Sequence, residues 1–80
     1  MTYIWNAETE HTHTLLYKQD PNQKIPQRMA FVAPHFNYGN GEIPYQVYWR
    51  ARVIKTGETD NFKTMQQAKD WAQAVVLLNH

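Results

Sequence analysis

The clearest alternation of apolar and polar positions runs from Tyr45 to Lys55. Tyr45, Val47, Trp49, Ala51 and Val53 fall on one side of a period-two ribbon, and Gln46, Tyr48, Arg50, Arg52 and Ile54 fall on the other. Such a strand buries its first set and turns the second outward. Thr56, Gly57 and Glu58 then turn the chain into a short strand, Thr59 to Phe62. Upstream, Asn37, Tyr38, Gly39, Asn40 and Gly41 contain an Asn-Gly pair, whose tolerance of positive φ predicts a tight hairpin turn. Met29 to Ala33, bracketed by Pro26 and Pro34, reads as a strand, as does Thr12 to Lys18. Asp20, Pro21 and Asn22 mark a turn between them, and Tyr3 to Trp5 is a candidate first strand.

From about Met65 the period changes to that of a helix. Met65, Ala68, Trp71, Ala72, Val75 and Leu78 form an apolar stripe, with Gln66, Lys69, Asp70 and Gln73 largely off it. Thr64 with Gln67 three residues later has the spacing of a capping box and predicts the helix start. Val76 and Leu77 widen the apolar surface, which favours a buried helix end over contact with a partner subunit. Together these elements predict an α+β fold: a three- to four-stranded antiparallel sheet packed on one C-terminal helix, with Trp49 and Trp71 near the centre of the core.

Eighty residues make one domain, 1–80, and 42% apolar residues suffice for a globular core. The chain has neither cysteine nor serine, which excludes disulfides, thiolate metal sites and both of those nucleophiles. The start of the sequence shows no charged leader with an apolar stretch, so a cytoplasmic location is expected. No apolar run is longer than that of Ala74 to Leu78, far below the roughly 20 residues of a membrane-spanning helix, so no membrane partner is expected. A net charge of +1 leaves nucleic-acid binding possible only through a local basic face.

No spacing among the four His, the carboxylates, Thr, Lys and Tyr matches a catalytic motif, and a domain this small rarely encloses a reaction pocket, so the chain is expected not to be an enzyme. His11 and His13 would point the same way on an extended segment, with Glu10 and His80 as further donors, but two histidines without a predictable third ligand imply no metal. Gly39 and Gly41 match neither the dinucleotide fingerprint nor the phosphate loop, so no cofactor is expected. What remains is the outward set Tyr48, Arg50 and Arg52, with Lys55 just beyond. Guanidinium groups fork onto phosphate oxygens, and a Tyr ring stacks on a base or fills a protein pocket. The bland alternative is a solvated face with cross-strand pairs to Glu58 and Asp60.

The run Trp49, Arg50, Ala51 and Arg52, then Gly57, then Phe62, Lys63, Thr64, Ala68, Lys69, Trp71 and Ala72 resembles the arm-type DNA-binding domain of tyrosine-family phage integrases. The likeness covers about residues 45–72 and implies a three-stranded sheet followed by a helix, with the sheet face carrying Tyr48, Arg50 and Arg52 in the major groove of duplex DNA. That family is more basic, and carries Lys or Arg where this chain has Glu58, Thr59, Asp60 and Asn61. The leading expectation is a non-enzymatic phage or mobile-element accessory protein that contacts duplex DNA, as a monomer or weak homodimer. The rival is a phage-type inhibitor of a host defence system or host enzyme, like the anti-CRISPR proteins, which binds a host protein. Tyr3, Trp5, Tyr17, Phe36 and Tyr38 favour the rival, because they are more aromatics than a small core easily holds.

Overall fold

The computed structural model of the chain describes residues 2–37 and 46–79. Five strands, β1 (Thr2–Ala7), β2 (His13–Lys18), β3 (Gln27–Asn37), β4 (Gln46–Val53) and β5 (Thr59–Phe62), precede one helix, α1 (Met65–Leu78). The strands form one antiparallel sheet in chain order, and α1 packs on one of its faces. This is the expected α+β architecture with five strands in place of three or four. The candidate first strand is a full member of the sheet: β1 pairs with β2 along its whole length and sends Tyr3 and Trp5 against the core.

The pleat of β4 has the register that its alternation predicts. Ala51 and Val53 are buried and Trp49 packs at the core margin, opposite Val32, Ala30 and Pro34 of β3. Above them lie Ala68, Ala72 and Val76, the buried residues of α1. The centre of the core is therefore a seam of small side chains, which lets helix and sheet approach closely. Trp49 and Trp71 stand at its edge, only part-buried, which corrects the expectation that they sit at the centre. Trp71 meets Phe62 of β5 with ring centroids 5.6 Å apart. At the opposite margin the Trp5 indole donates to Gln73 Oε1 at 3.1 Å, and Lys69 Nζ lies 5.4 Å from the Trp5 ring. Tyr3 and Tyr17 close the same side, 4.9 Å apart. Tyr3, Trp5 and Tyr17, three of the aromatics that suggest an exposed binding surface, thus pack on the core. Tyr38 and the side chain of Phe36 lie outside the described residues.

Two features extend β3 beyond the predicted Met29 to Ala33. The first is a bulge: Leu15 pairs with Ala30 but Leu16 pairs with Arg28, so Met29 is the extra residue. Met29 and Ala30 consequently both enter the core, and the alternation before them is inverted. The second is Pro34, a strand boundary by its sequence signal, which lies inside the strand, opposite Trp49. Ile54 N donates to Met29 O at 3.0 Å, which makes Ala30–Val53 a non-hydrogen-bonded pair and gives Pro34, four residues on, the same phase. Its nitrogen therefore points away from β4, toward a side where β2 has already ended at His13–Val32. No ladder bond is sacrificed, and proline is tolerated. The turn from Tyr38 to Gly41 and the strand start at Tyr45 lie outside the described residues, while Asn37–Gln46 pairing joins the two arms.

The helix begins as predicted: Thr64 Oγ1 accepts from Gln67 N at 3.1 Å. Gly57, at φ +74, makes the turn between β4 and β5. The apolar stripe departs from expectation at its end, because Val76 is buried while Leu78 is 85% exposed. At 3.6 residues per turn, Val76 lies about 40° from Ala72 around the axis and Leu78 about 120°. Leu15→Ala, at one of the largest fully buried side chains, is expected to destabilise the fold by about 2–5 kcal/mol. Leu78→Ala should fall within about 0.5 kcal/mol of the parent, and Thr64→Ala should cost about 1 kcal/mol. Urea unfolding followed by circular dichroism measures all three.

Candidate functional site

With α1 covering one face of the sheet, the outward side chains of all five strands share the other. The register lines them up in rows. Asn6, Thr14, Phe31, Arg52 and Thr59 form one row across the whole sheet. Ala33, Arg50 and Asn61 form the next toward one end, followed by His35 and Tyr48. Toward the other end come Ile4, Leu16 and Arg28, then Thr2 and Lys18. The strand positions of this face hold four cations, Lys18, Arg28, Arg50 and Arg52, and no carboxylate.

The sequence-predicted residues Tyr48, Arg50 and Arg52 are brought together here, on successive outward positions of β4. Arg50 Nε donates to Asn61 Oδ1 at 3.1 Å, across the β4–β5 ladder. Arg52 is exposed, and its side chain makes neither an ion pair nor a hydrogen bond among the described residues. The carboxylate of Asp60 does not reach these arginines: it pairs in register with Ala51, on the helix side, and its Oδ1 accepts from Asn61 N at 2.8 Å. Lys55 is placed apart from the other three. It sits past the end of β4, and its Nζ donates to Asn79 O at 3.2 Å, capping the C-terminal end of α1.

Sequence reasoning missed Lys18, Arg28 and Phe31 as members of this face. Strict alternation from Ala30 would turn Arg28 inward, and it is the bulge at Met29 that brings it out. Arg28 Nη2 pairs with Glu8 Oε1 at 3.2 Å. Because Glu8 follows β1 and Arg28 lies on β3, the pair crosses β2, and Thr14 of β2 is buried although it points to the open side. Glu8 is a carboxylate at the rim, and the chain outside the four cations of this face is net acidic. A net charge of +1 therefore conceals a segregated basic surface.

His11 lies in the turn beyond the strand, exposed beside Glu10 at 3.9 Å, while His13 begins β2 opposite Ala7 and Val32. His80 lies outside the described residues. Among the described residues, no three His, Asp or Glu come together as a metal site would need, and no helix is long and apolar enough to cross a membrane. Compared with known proteins, the chain matches no family model, no curated protein and no solved structure.

Burial, and secondarily the Lys69 ammonium, hold the His13 pKa below its ordinary 6.5, against a raising contact with the Glu10 backbone. Well above pH 6.5 His13 is neutral whether the chain is folded or not. As the pH falls below that value the unfolded chain takes up the proton first, so stability drops until the lower folded pKa is passed. His13→Gln is therefore expected to lose part of the acid-side fall in urea midpoint between about pH 7 and about pH 5. A parallel fall in parent and variant would refute the assignment.

Proposed function

We propose that the chain is a non-enzymatic binding module that holds nucleic acid on the open face of its sheet. The single observation carrying this reading is the charge segregation of that face: four cations and no carboxylate on its strands in a chain of net charge +1. A solvated sheet face normally balances cations with carboxylates on neighbouring strands. Arg28 is paired with Glu8 at the rim, but Arg50 and Arg52 have no carboxylate partner among the described residues, and such guanidinium groups match the oxygens of a phosphate backbone. Phe31 and Tyr48 supply ring faces beside Arg52 and Arg50. The likeness of residues 45–72 to the integrase arm-type domain supports the same chemistry.

A protein partner is the second reading, favoured by a different region. Ile25, Ile54, Leu77 and Leu78 are large exposed apolar residues. They belong to the loop before β3, the turn after β4 and the end of α1, and Ile54 lines an open pocket of about 430 Å³ with Gln27, Arg28, Met29 and Lys55. The hydrogen bond from Lys55 to Asn79 joins the turn to the helix end.

The two readings separate on salt dependence. Binding of labelled mixed-sequence DNA, followed by fluorescence anisotropy over a range of salt, should show a linear fall of log K with log salt. Arg50→Gln with Arg52→Gln should weaken binding and flatten that slope by about 0.7–0.9 for each phosphate that the variant no longer neutralises. An unchanged slope would overturn the role given to the face.

A further inference from the structure

Resting on the nucleic-acid reading of this face, we infer that its ligand is a single strand, laid across the sheet with bases stacked on Phe31 and Tyr48. Three observations point there.

The first is width. Five strands at about 4.8 Å spacing make a face close to 20 Å across before side chains are added. The major groove of duplex DNA is about 12 Å wide and admits a two-stranded ribbon. A three-stranded sheet after the integrase pattern is already a tight fit, and the pairing of β1 and β2 onto that unit makes flat entry impossible.

The second is the place of the rings. Phe31 stands on β3, the middle strand of the five, between Thr14 and Arg52 in its row. It is half-buried, so part of the ring remains accessible. A duplex resting on the flat sheet would present phosphates and sugars there, with its base faces enclosed in the stack. A single strand has its base faces free, and these stack on aromatic rings with little regard for sequence.

The third is the spacing of platforms and cations. The His35–Tyr48 pair lies four residues along β3 from Phe31, about 13 Å away, with Ala33 between them. The small side chain of Ala33 leaves low ground between two raised platforms. Arg50 and Arg52 run alongside on β4, about 7 Å apart, where a backbone linking stacked bases would pass. Arg28 and Lys18 continue the basic track past Phe31 toward the other end of the face.

The test uses the full chain with two labelled probes, an oligo-dT of about 12 nucleotides and the duplex it forms with oligo-dA. The oligo-dT is expected to bind more tightly. Phe31→Leu and Tyr48→Leu, which keep apolar bulk but remove the ring, should each weaken oligo-dT binding by about 5- to 100-fold. Neither should move duplex affinity appreciably. Phe31→Tyr should restore binding, which a purely packing role would not require, and Tyr48→Leu carries the test if Phe31→Leu fails to fold. Tighter binding of the duplex would overturn the single-strand assignment, as would unchanged oligo-dT affinity in both folded Leu variants. If the Arg50 and Arg52 substitutions still weakened binding in that case, the basic face would stand and only the stacking would fall. Binding of neither probe would overturn the nucleic-acid reading itself.

Discussion

The seam of small residues between β4 and α1 settles which way every other side chain of the sheet must point. Ala51 and Val53 on one side, and Ala68, Ala72 and Val76 on the other, form an interface that only short side chains can make. A slip of β4 by one residue would exchange Ala51 and Val53 for Arg50 and Arg52. Burying an unpaired guanidinium costs several kcal/mol per ion even after relaxation, which is comparable with the whole stability of a domain this size. Packing on the helix side and charge on the open side are therefore one constraint. The same alternation that hides the alanines commits the arginines to solvent.

That constraint propagates along the ladders to β3 and β2, and the bulge at Met29 then breaks it with benefit to both faces. Met29 adds apolar bulk to the core, and Arg28 joins the open face instead of facing the helix. One inserted residue thus improves packing on one side and adds a cation to the other. The Arg28–Glu8 pair across β2 involves an Arg side chain that is 68% exposed, so it contributes little to stability. Its consequence is local: it sets one cation of the face beside a carboxylate at the rim.

Much of this is legible in residue order. The pleat of β4, the Gly57 turn, β5 and the Thr64 cap all depend on interactions close in sequence, and such interactions leave a local signature. What escapes depends on partners distant in the chain. Pro34 looks like a strand end until it is known that β2 stops short of it, leaving no partner for its absent N–H. Arg28 looks inward-facing until the bulge is known. Leu78 continues an apolar run, yet whether a residue about 120° from the stripe centre is covered depends on what lies beside the helix, and nothing among the described residues does. Size alone puts Trp49 and Trp71 at the centre, whereas close helix–sheet approach favours alanine there and relegates large rings to the margin. The open face itself is hidden in a composition that sums to +1, because segregation of charge is a property of rows across strands and no row is contiguous in sequence.

A bare sheet face does not by itself imply a ligand, since two-layer α+β domains commonly leave one face to water. Arginine stems also serve as cover for apolar surface such as that of Leu16, Ile4 and Phe31. Sign balance is the distinguishing feature. A face selected only for solubility gains from alternating charge, because like charges on neighbouring positions repel and opposite ones attract. Arg50 and Arg52 stand about 7 Å apart on one strand, inside the screening length of about 8 Å at physiological salt. Asn61, the partner of Arg50, is a neutral amide where a carboxylate of nearly the same shape would relieve the repulsion. Keeping an amide there leaves the charge of Arg50 and Arg52 uncompensated, the field that the proposed anionic ligand would relieve on binding.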